Sequence, residues 1–138
     1  MIDNFRGEYY FLSNFYFTKI QYGEYIYPSV ENAFQAQKTL DRIERQNFIH
    51  CNPSDAKLYG RRIKLRKDWE QVKEQIMYEI VKAKFTQHED LKEKLLLTND
   101  EYLEEGNNHG DIIWGTVNGK GKNLLGNILM RIREELKN

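Results

Sequence analysis

Apolar residues recur at steps of three and four over the middle of the chain, which is the spacing of one face of an α-helix. This pattern predicts a long helix over residues 69–86, capped by Asp68. Its inward stripe consists of Trp69, Val72, Ile76, Ile80 and Ala83. The same spacing predicts a helix over residues 91–96 and a last helix from about Leu124 to Leu136. We assign these stripes to the core rather than to a binding site.

The N-terminal third is rich in aromatic and β-branched residues, which favour strands. Strands are predicted over residues 9–11 and 15–27, and the Tyr22-Gly23 step predicts a hairpin turn within the second. Short strands are also predicted over residues 102–104 and 112–114. The predicted class is therefore α+β, a single mostly helical domain over residues 1–138 with a small N-terminal sheet or hairpin.

Short helices are predicted between the hairpin and the long helix. Ser29 follows Pro28 and is placed to cap a helix that begins with the next residue. A second short helix is predicted over residues 42–49. A third starts at Asn52-Pro53, with asparagine as cap and proline in the first turn, and closes at Gly60.

Composition narrows the choice of partner. The 138 residues fit one domain, and the 21 basic and 21 acidic residues balance, so bulk charge argues against a long non-specific contact with nucleic acid. Aromatic residues reach 13%, which suits a pocket that stacks planar rings. Core packing explains the same aromatic content equally well.

Cysteine and histidine usage bears on location and metal binding. The single Cys51 excludes an internal disulfide, the first residues are polar, and no apolar run approaches the roughly 20 residues of a membrane span. We therefore predict a cytoplasmic protein. The histidines His50, His88 and His109 lack the spacing of known metal sites, so we predict no metal and no other cofactor.

The candidate chemistry lies in the helix that follows Ser29. Glu31, Gln35 and Lys38 stand at offsets of four and seven residues, which place a carboxylate, an amide and an amine along one helical face. Apolar residues surround them in the sequence. This pattern favours a chemical site over a solvated surface.

Two basic segments are candidates for phosphate contact. Residues 115–123 join a strand to a helix, and their glycines would let backbone N–H groups and Asn123 approach an anion at the helix N-terminus. Neither the Walker nor the Rossmann pattern is present, and a plain flexible turn is the alternative. The second segment covers residues 61–67, which would hold a phosphate if it folds over the Glu31 face. Its alternative is a solvated basic stretch.

A series of boxes along nearly the whole chain resembles the NADAR family, which is associated with NAD and ADP-ribose metabolism. The boxes occur in the family order with family-like spacing. They are residues 12–15 (LSNF), 27–31 (YPSVE), 34–38 (FQAQK), 60–61 (GR), 65–70 (LRKDWE), 83–85 (AKF), 111–115 (DIIWG) and 119–126 (GKGKNLLG).

The resemblance implies an N-glycosidase that breaks a ribose C1'-to-nitrogen bond. Similar members act on early ribosylamino intermediates of riboflavin synthesis, and others remove ADP-ribose from guanine bases in DNA as antitoxins. The implied partner is a small-molecule ribosyl or ADP-ribosyl substrate, on DNA in the second case, where a cognate ADP-ribosyltransferase toxin is also implied. A domain that binds ADP-ribose without turnover is the alternative.

Roles for individual residues follow from the resemblance and from the chemistry of N-glycosides. Glu31 is the expected acid-base group. Lys38 either binds ribose and phosphate or attacks C1' to form a Schiff base. Asp111 is expected to orient ribose hydroxyls or water. Trp114 either stacks on the base or anchors the core. The expected substrate contacts are Ser13, Asn14, Phe15, Gln35, Arg61, Trp69, Trp114, Gly115, Gly121 and Asn123.

Two positions depart from the family pattern. Where members commonly have histidine after the motif glutamate, this chain has Asn32, which cannot shuttle a proton. Gly110 stands before Asp111 in place of the expected asparagine. We expect the chemistry to proceed without that histidine and the contacts of the loop before Asp111 to differ.

Overall fold

The computed structural model describes residues 1–138, with six α-helices and one two-stranded sheet. A 3-10 helix covers Gly7–Leu12, and the strands are β1 (Ile20–Tyr22) and β2 (Tyr25–Tyr27). The helices are α1 (Val30–Ala36), α2 (Arg42–Gln46), α3 (Pro53–Gly60), α4 (Trp69–Gln87), α5 (Glu89–Leu96) and α6 (Leu124–Glu135). The predicted α+β, mostly helical class is confirmed.

The chain divides into two compact units. The central unit comprises Asn14–Gln87 and contains the hairpin and α1–α4. The terminal unit comprises Met1–Ser13 together with His88–Asn138 and contains the 3-10 helix, α5 and α6. The assignment of all 138 residues to one domain stays a prediction.

In the central unit, α1 packs against α3, α4 and the hairpin. The hairpin is antiparallel, with Ile20 opposite Tyr27, and both of these side chains are buried. Phe34 of α1 meets Trp69 of α4 with ring centroids 5.1 Å apart. Burying side chains of this size contributes about 1.5–3 kcal/mol each, so α1 is held from several sides by apolar contacts.

Most predicted elements of the central unit are confirmed, including the hairpin turn and both helix caps. The Ser29 hydroxyl accepts a hydrogen bond from the Asn32 backbone N–H, and the Asn52 side chain accepts one from Asp55 N–H. Asp68 precedes α4 as predicted, and its carbonyl accepts hydrogen bonds from Gln71 N–H and Val72 N–H, but its side chain does not cap the helix. Its two carboxylate oxygens accept hydrogen bonds from Arg66 instead.

In the terminal unit, α6 buries the predicted apolar residues Leu125, Ile128, Leu129 and Ile132. The strand predicted over residues 9–11 is wrong, because Gly7 has a φ of 60° and the chain continues as the 3-10 helix. The strands predicted over residues 102–104 and 112–114 are also wrong. Only single bridges form near them, between Ile2 and Leu103 and between Gly106 and Thr116.

None of the helices combines the length with the apolar character that a membrane crossing requires.

Candidate active site

The structure brings the predicted carboxylate, amide and amine together in the central unit. Glu31 and Gln35 lie one turn apart on α1, and Gln35 Nε2 donates a hydrogen bond of 2.6 Å to Glu31 Oε2. The two side chains are 8% and 6% exposed. Lys38 follows the end of α1, and its backbone N–H donates a hydrogen bond to the Gln35 carbonyl. Burial lowers the pKa of Lys38, and the charge of Glu31 opposes that shift.

The backbone at the start of α1 fixes the position of Glu31. Its N–H donates to the Asn14 carbonyl at 3.0 Å, so the segment before the hairpin holds the first helical turn. The Asn14 side chain points to Met77 Sδ at 3.6 Å. Asn14 was predicted as a substrate contact, and the structure gives its carbonyl a positioning task that the sequence pattern did not indicate.

Asn32 is fully buried, and both polar atoms of its side chain form hydrogen bonds within the protein. Its Oδ1 accepts from the Ser29 hydroxyl at 2.6 Å, and its Nδ2 donates to the carbonyls of Phe48 and Cys51, each at 2.8 Å. The residue at the position where the family commonly has histidine therefore ties α1 to the chain after α2. This supports a mechanism in which position 32 moves no proton.

Three cations lie near enough to Lys38 for their charges to affect its pKa. After burial and the opposing charge of Glu31, the charges of Arg61, Lys73 and Lys57 lower its pKa further. Lys57 and Arg61 are one turn apart at the C-terminal end of α3. Sequence reasoning missed Lys57 and Lys73; the four-residue spacing from Lys57 to Arg61 was the available signal.

The basic segment 61–67 contains one residue with a structural task. Arg66 binds the Asp68 carboxylate through Nε at 2.6 Å, and its backbone N–H donates to the Lys38 carbonyl at 2.8 Å. Arg61 is exposed, and its charge reaches Lys38. Of the cations in this segment, Arg61 is therefore placed for a substrate anion and Arg66 holds the backbone of Lys38.

The predicted anion site over residues 115–123 stays a prediction, but the backbone amides at the start of α6 are already bonded within the terminal unit. The N–H groups of Leu124 and Leu125 donate to the carbonyls of Ile113 and Trp114, and that of Asn123 donates to the Gly115 carbonyl. These amides are occupied, so they cannot receive a phosphate at the helix N-terminus. The loop serves to dock one segment of the terminal unit on another.

Asn123 directly precedes α6 but does not cap it. It adopts a left-handed conformation with a φ of 51°, and its side chain makes no capping hydrogen bond. Its Oδ1 accepts from Glu105 N–H, and its Nδ2 donates to the Leu103 carbonyl. With a side chain so occupied, Asn123 has a structural role within the terminal unit.

The glycines predicted as substrate contacts are places of close backbone approach. A Cβ on Gly121 would lie 2.4 Å from the Gly115 oxygen, and one on Gly115 would lie 2.0 Å from the Glu105 carbonyl oxygen. Both glycines are therefore required by packing, and their role as substrate contacts stays a prediction.

Asp111 and Trp114 lie together in the terminal unit. Asp111 Oδ1 accepts from the N–H groups of Ile113 and Trp114, at 3.0 and 2.9 Å, which fixes the turn that carries the half-buried indole. The second oxygen, Oδ2, accepts no hydrogen bond within the chain. Asp111 can therefore orient a hydroxyl or a water molecule through Oδ2 while Oδ1 holds Trp114.

The three other predicted substrate contacts, Trp69, Ser13 and Phe15, differ in how far they are buried. Trp69 is 5% exposed and packs on Phe34, which leaves little of its ring accessible. Ser13 and Phe15 are half-buried, and Ser13 N–H ends the 3-10 helix by donating to the Tyr10 carbonyl. Ser13 and Phe15 remain predicted substrate contacts.

Comparison with known proteins identifies the class. The family model of the NADAR domain matches residues 3–137. The chain is 42% identical to N-glycosidase YbiA of Shigella boydii over 140 residues, covering 89% of this chain and 87% of that protein. It is 41% identical to N-glycosidase Npun_R5314 of Nostoc punctiforme, covering 91% and 85%.

Two other similarities extend this result. The chain is 37% identical to riboflavin biosynthesis protein VVA0006 of Vibrio vulnificus, covering 92% of this chain but 35% of that protein. The NMR structure of the E. coli protein YbiA has a TM-score of 0.85, with 39% identity over 99% of this chain and 86% of that one. The chain belongs to the NADAR family, and its enzymatic class is that of an N-glycosidase.

Proposed function

We propose that this protein hydrolyses the bond between C1' of a phosphorylated ribose and a nitrogen atom, with Glu31 as the acid-base group. The observation that carries the proposal is a buried carboxylate beside a half-buried amine, Glu31 beside Lys38, with the charges of Lys57, Arg61 and Lys73 nearby. Carboxylate and cations together suit a sugar that carries phosphate.

Cleavage of an N-glycoside develops positive charge at C1'. Glu31 lies in the first turn of α1, where the helix dipole stabilises negative charge, and the Gln35 amide donates to the same carboxylate. Both interactions favour a charged carboxylate before reaction. Glu31 therefore supports the charge at C1' and takes a proton from the attacking water.

Lys38 has two chemical options. As a protonated amine, Lys38 donates hydrogen bonds to ribose or phosphate oxygens. As a neutral amine, it attacks C1' while the nitrogen base leaves with a proton. The opened sugar then forms a Schiff base with Lys38, which water hydrolyses. Burial, which lowers the pKa of Lys38, favours the neutral amine. Borohydride added during turnover distinguishes the options, because it reduces a Schiff base to a stable adduct on Lys38 and leaves a merely gripped sugar unattached.

Two substrates share the bond and differ in phosphate count. ADP-ribose on guanine in DNA carries a pyrophosphate, and three cations around Lys38 suit that group. A ribosylamino-pyrimidine phosphate of riboflavin synthesis carries one phosphate, and the name of the Vibrio vulnificus relative favours that compound. With the first substrate, DNA and a cognate ADP-ribosyltransferase toxin are the implied partners. The proposal includes a cytoplasmic location, which fits the free Cys51.

The test offers both substrates to the purified protein and to Glu31→Gln, which keeps the side-chain shape and removes the charge. We expect wild type to cleave one of them and the variant to be slower by roughly two to four orders of magnitude, the usual contribution of an acid-base group. Unchanged turnover by Glu31→Gln would remove Glu31 from this role. Tight binding of ADP-ribose without cleavage of either substrate would instead support the alternative of a binding domain.

A further inference from the structure

The Gln35 amide is held in one orientation although that orientation leaves an oxygen without a partner. Nε2 donates to Glu31, while the buried Oε1 accepts no hydrogen bond. An unsatisfied buried acceptor is unfavourable for stability. Turning the amide over would place Oε1 against the Glu31 carboxylate, where two oxygens repel each other. The charge on Glu31 therefore determines which end of the amide faces it.

Gly60 provides the space for the other end of the amide. A Cβ on Gly60 would lie 1.9 Å from Gln35 Oε1 and 2.8 Å from Cδ, distances that real atoms do not adopt. Gly60 belongs to α3, which packs on α1, and it is buried. Its backbone does not require glycine, since its φ is not positive. The missing side chain is thus needed for the close approach of α3 to the amide.

We propose that Gln35 is a positioning residue that orients the Glu31 carboxylate, and that Gly60 enables this by leaving room for the amide. This inference rests on the proposed function of Glu31. It replaces the expected substrate contact of Gln35 with an action through Glu31. It also gives the glycine that ends α3 a part in the reaction.

Gln35→Met separates positioning from structure. Methionine has a similar length and no N–H donor, and it removes the unpaired oxygen. We expect kcat to fall roughly 10- to 100-fold, the usual effect of a slightly misplaced catalytic group, while KM stays within about twofold. The thermal midpoint should stay close to that of wild type, because loss of the unsatisfied acceptor offsets loss of the hydrogen bond to Glu31. A purely structural glutamine predicts the opposite, a lower midpoint with unchanged kcat.

Gly60→Ala tests the second half of the inference. Its methyl group displaces the amide, so kcat should fall as in Gln35→Met. In a Gln35→Ala background the amide is absent, and the new methyl group on residue 60 meets only the Cβ of residue 35, at 3.3 Å. In that background Gly60→Ala should therefore lower kcat little further. Ser54→Ala, on the exposed side of α3, is the matched control for helix propensity and should leave kcat unchanged.

The outcomes separate this inference from the proposed function. No turnover by wild type on either substrate would contradict the N-glycosidase proposal. Wild-type turnover with a dead Glu31→Gln and a fully active Gln35→Met would overturn the positioning role alone. Equal kcat losses from Gly60→Ala in the wild-type and Gln35→Ala backgrounds would overturn the role of Gly60. If Gly60→Ala does not fold, the Gln35→Met result still decides whether Gln35 positions Glu31.

Discussion

The Glu31 carboxylate acts on Lys38 although α1 ends between them: burial lowers the pKa of the Lys38 amine, and the negative charge of Glu31 opposes that shift. Removing the carboxylate therefore changes the protonation of the amine. The first prediction follows from this pair.

Glu31→Gln should lower the pKa of Lys38 further, because the opposing negative charge is lost while the burial remains. More of the amine is then neutral at a given pH. The measurement is the pH dependence of acylation at Lys38, followed by mass spectrometry. Glu89→Gln is the control, since Glu89 is exposed and is not among the charges that shift the pKa of Lys38. An unchanged Lys38 titration in Glu31→Gln would show that the two groups are not coupled.

Arg61→Ala should raise KM for a phosphorylated substrate roughly tenfold with a smaller effect on kcat, because an exposed charged hydrogen bond to phosphate contributes about 1.5 kcal/mol. Lys57→Ala should act in the same direction. Lys67→Ala removes the same charge from an exposed residue of the same loop, and its KM should stay near wild type. If all three substitutions raise KM equally, the cations attract the substrate through their summed charge and do not form a defined phosphate site.

Lys84 predicts a pH dependence of stability. It is 1% exposed, its amine lies 5.4 Å from the Tyr16 ring centroid, and burial lowers its pKa to about 7. Between pH 7 and about 10.5 the unfolded chain therefore holds a proton on Lys84 that the folded chain lacks. In that window this residue makes the free energy of unfolding rise with pH.

The measurement is denaturant unfolding of wild type and Lys84→Met across that window. The variant loses the titrating amine, so the stability difference, variant minus wild type, should fall as pH rises from 7 to 10, by at most about 4 kcal/mol. Lys67→Met, at an exposed position, should show a flat difference. A flat difference for Lys84→Met as well would contradict the lowered pKa.

Asn32→Ala should destabilise the protein by about 2–4 kcal/mol, because it removes the donor to the carbonyls of Phe48 and Cys51 and the acceptor of the Ser29 O–H. Unfolding in urea measures the change. Asn47→Ala is the control, since exposed Asn47 bonds through its side chain only to the Tyr59 hydroxyl. A loss below about 0.5 kcal/mol for Asn32→Ala would mean that this network is dispensable.

Periodic patterns and caps predicted most of the helices because those signals are local. The stripe of α4 and the caps at Ser29 and Asn52 depend on residues within one or two turns, and the same holds for the alignment of Glu31 with Gln35. The caps and the alignment of Glu31 with Gln35 appear in the structure as predicted. The stripe of α4 is confirmed in part: Val72 and Ala83 are only half-buried, and the buried face also includes Met77, Val81, Lys84 and Phe85.

The remaining features depend on contacts between distant segments. The amides at the start of α6 look free in the sequence, yet the carbonyls of residues 113–115 occupy them. Gly60 reads as a helix end, and its packing against Gln35 becomes visible only when α3 lies on α1. Lys57 and Lys73 approach Lys38 for the same reason, since separate helices carry them. No local pattern encodes these pairings.

The hydrogen bond from Arg66 N–H to the Lys38 carbonyl makes the length of a surface loop part of the active-site geometry. Loops between helices usually accept an inserted or deleted residue with little effect. Here a change of one residue between Arg61 and Arg66 would move the donor away from Lys38 and release the amine from its place beside Glu31. If Lys38 has its proposed role, we expect variation in the length of this loop to change turnover more than folding, which makes its residue number a constraint on redesign of this enzyme.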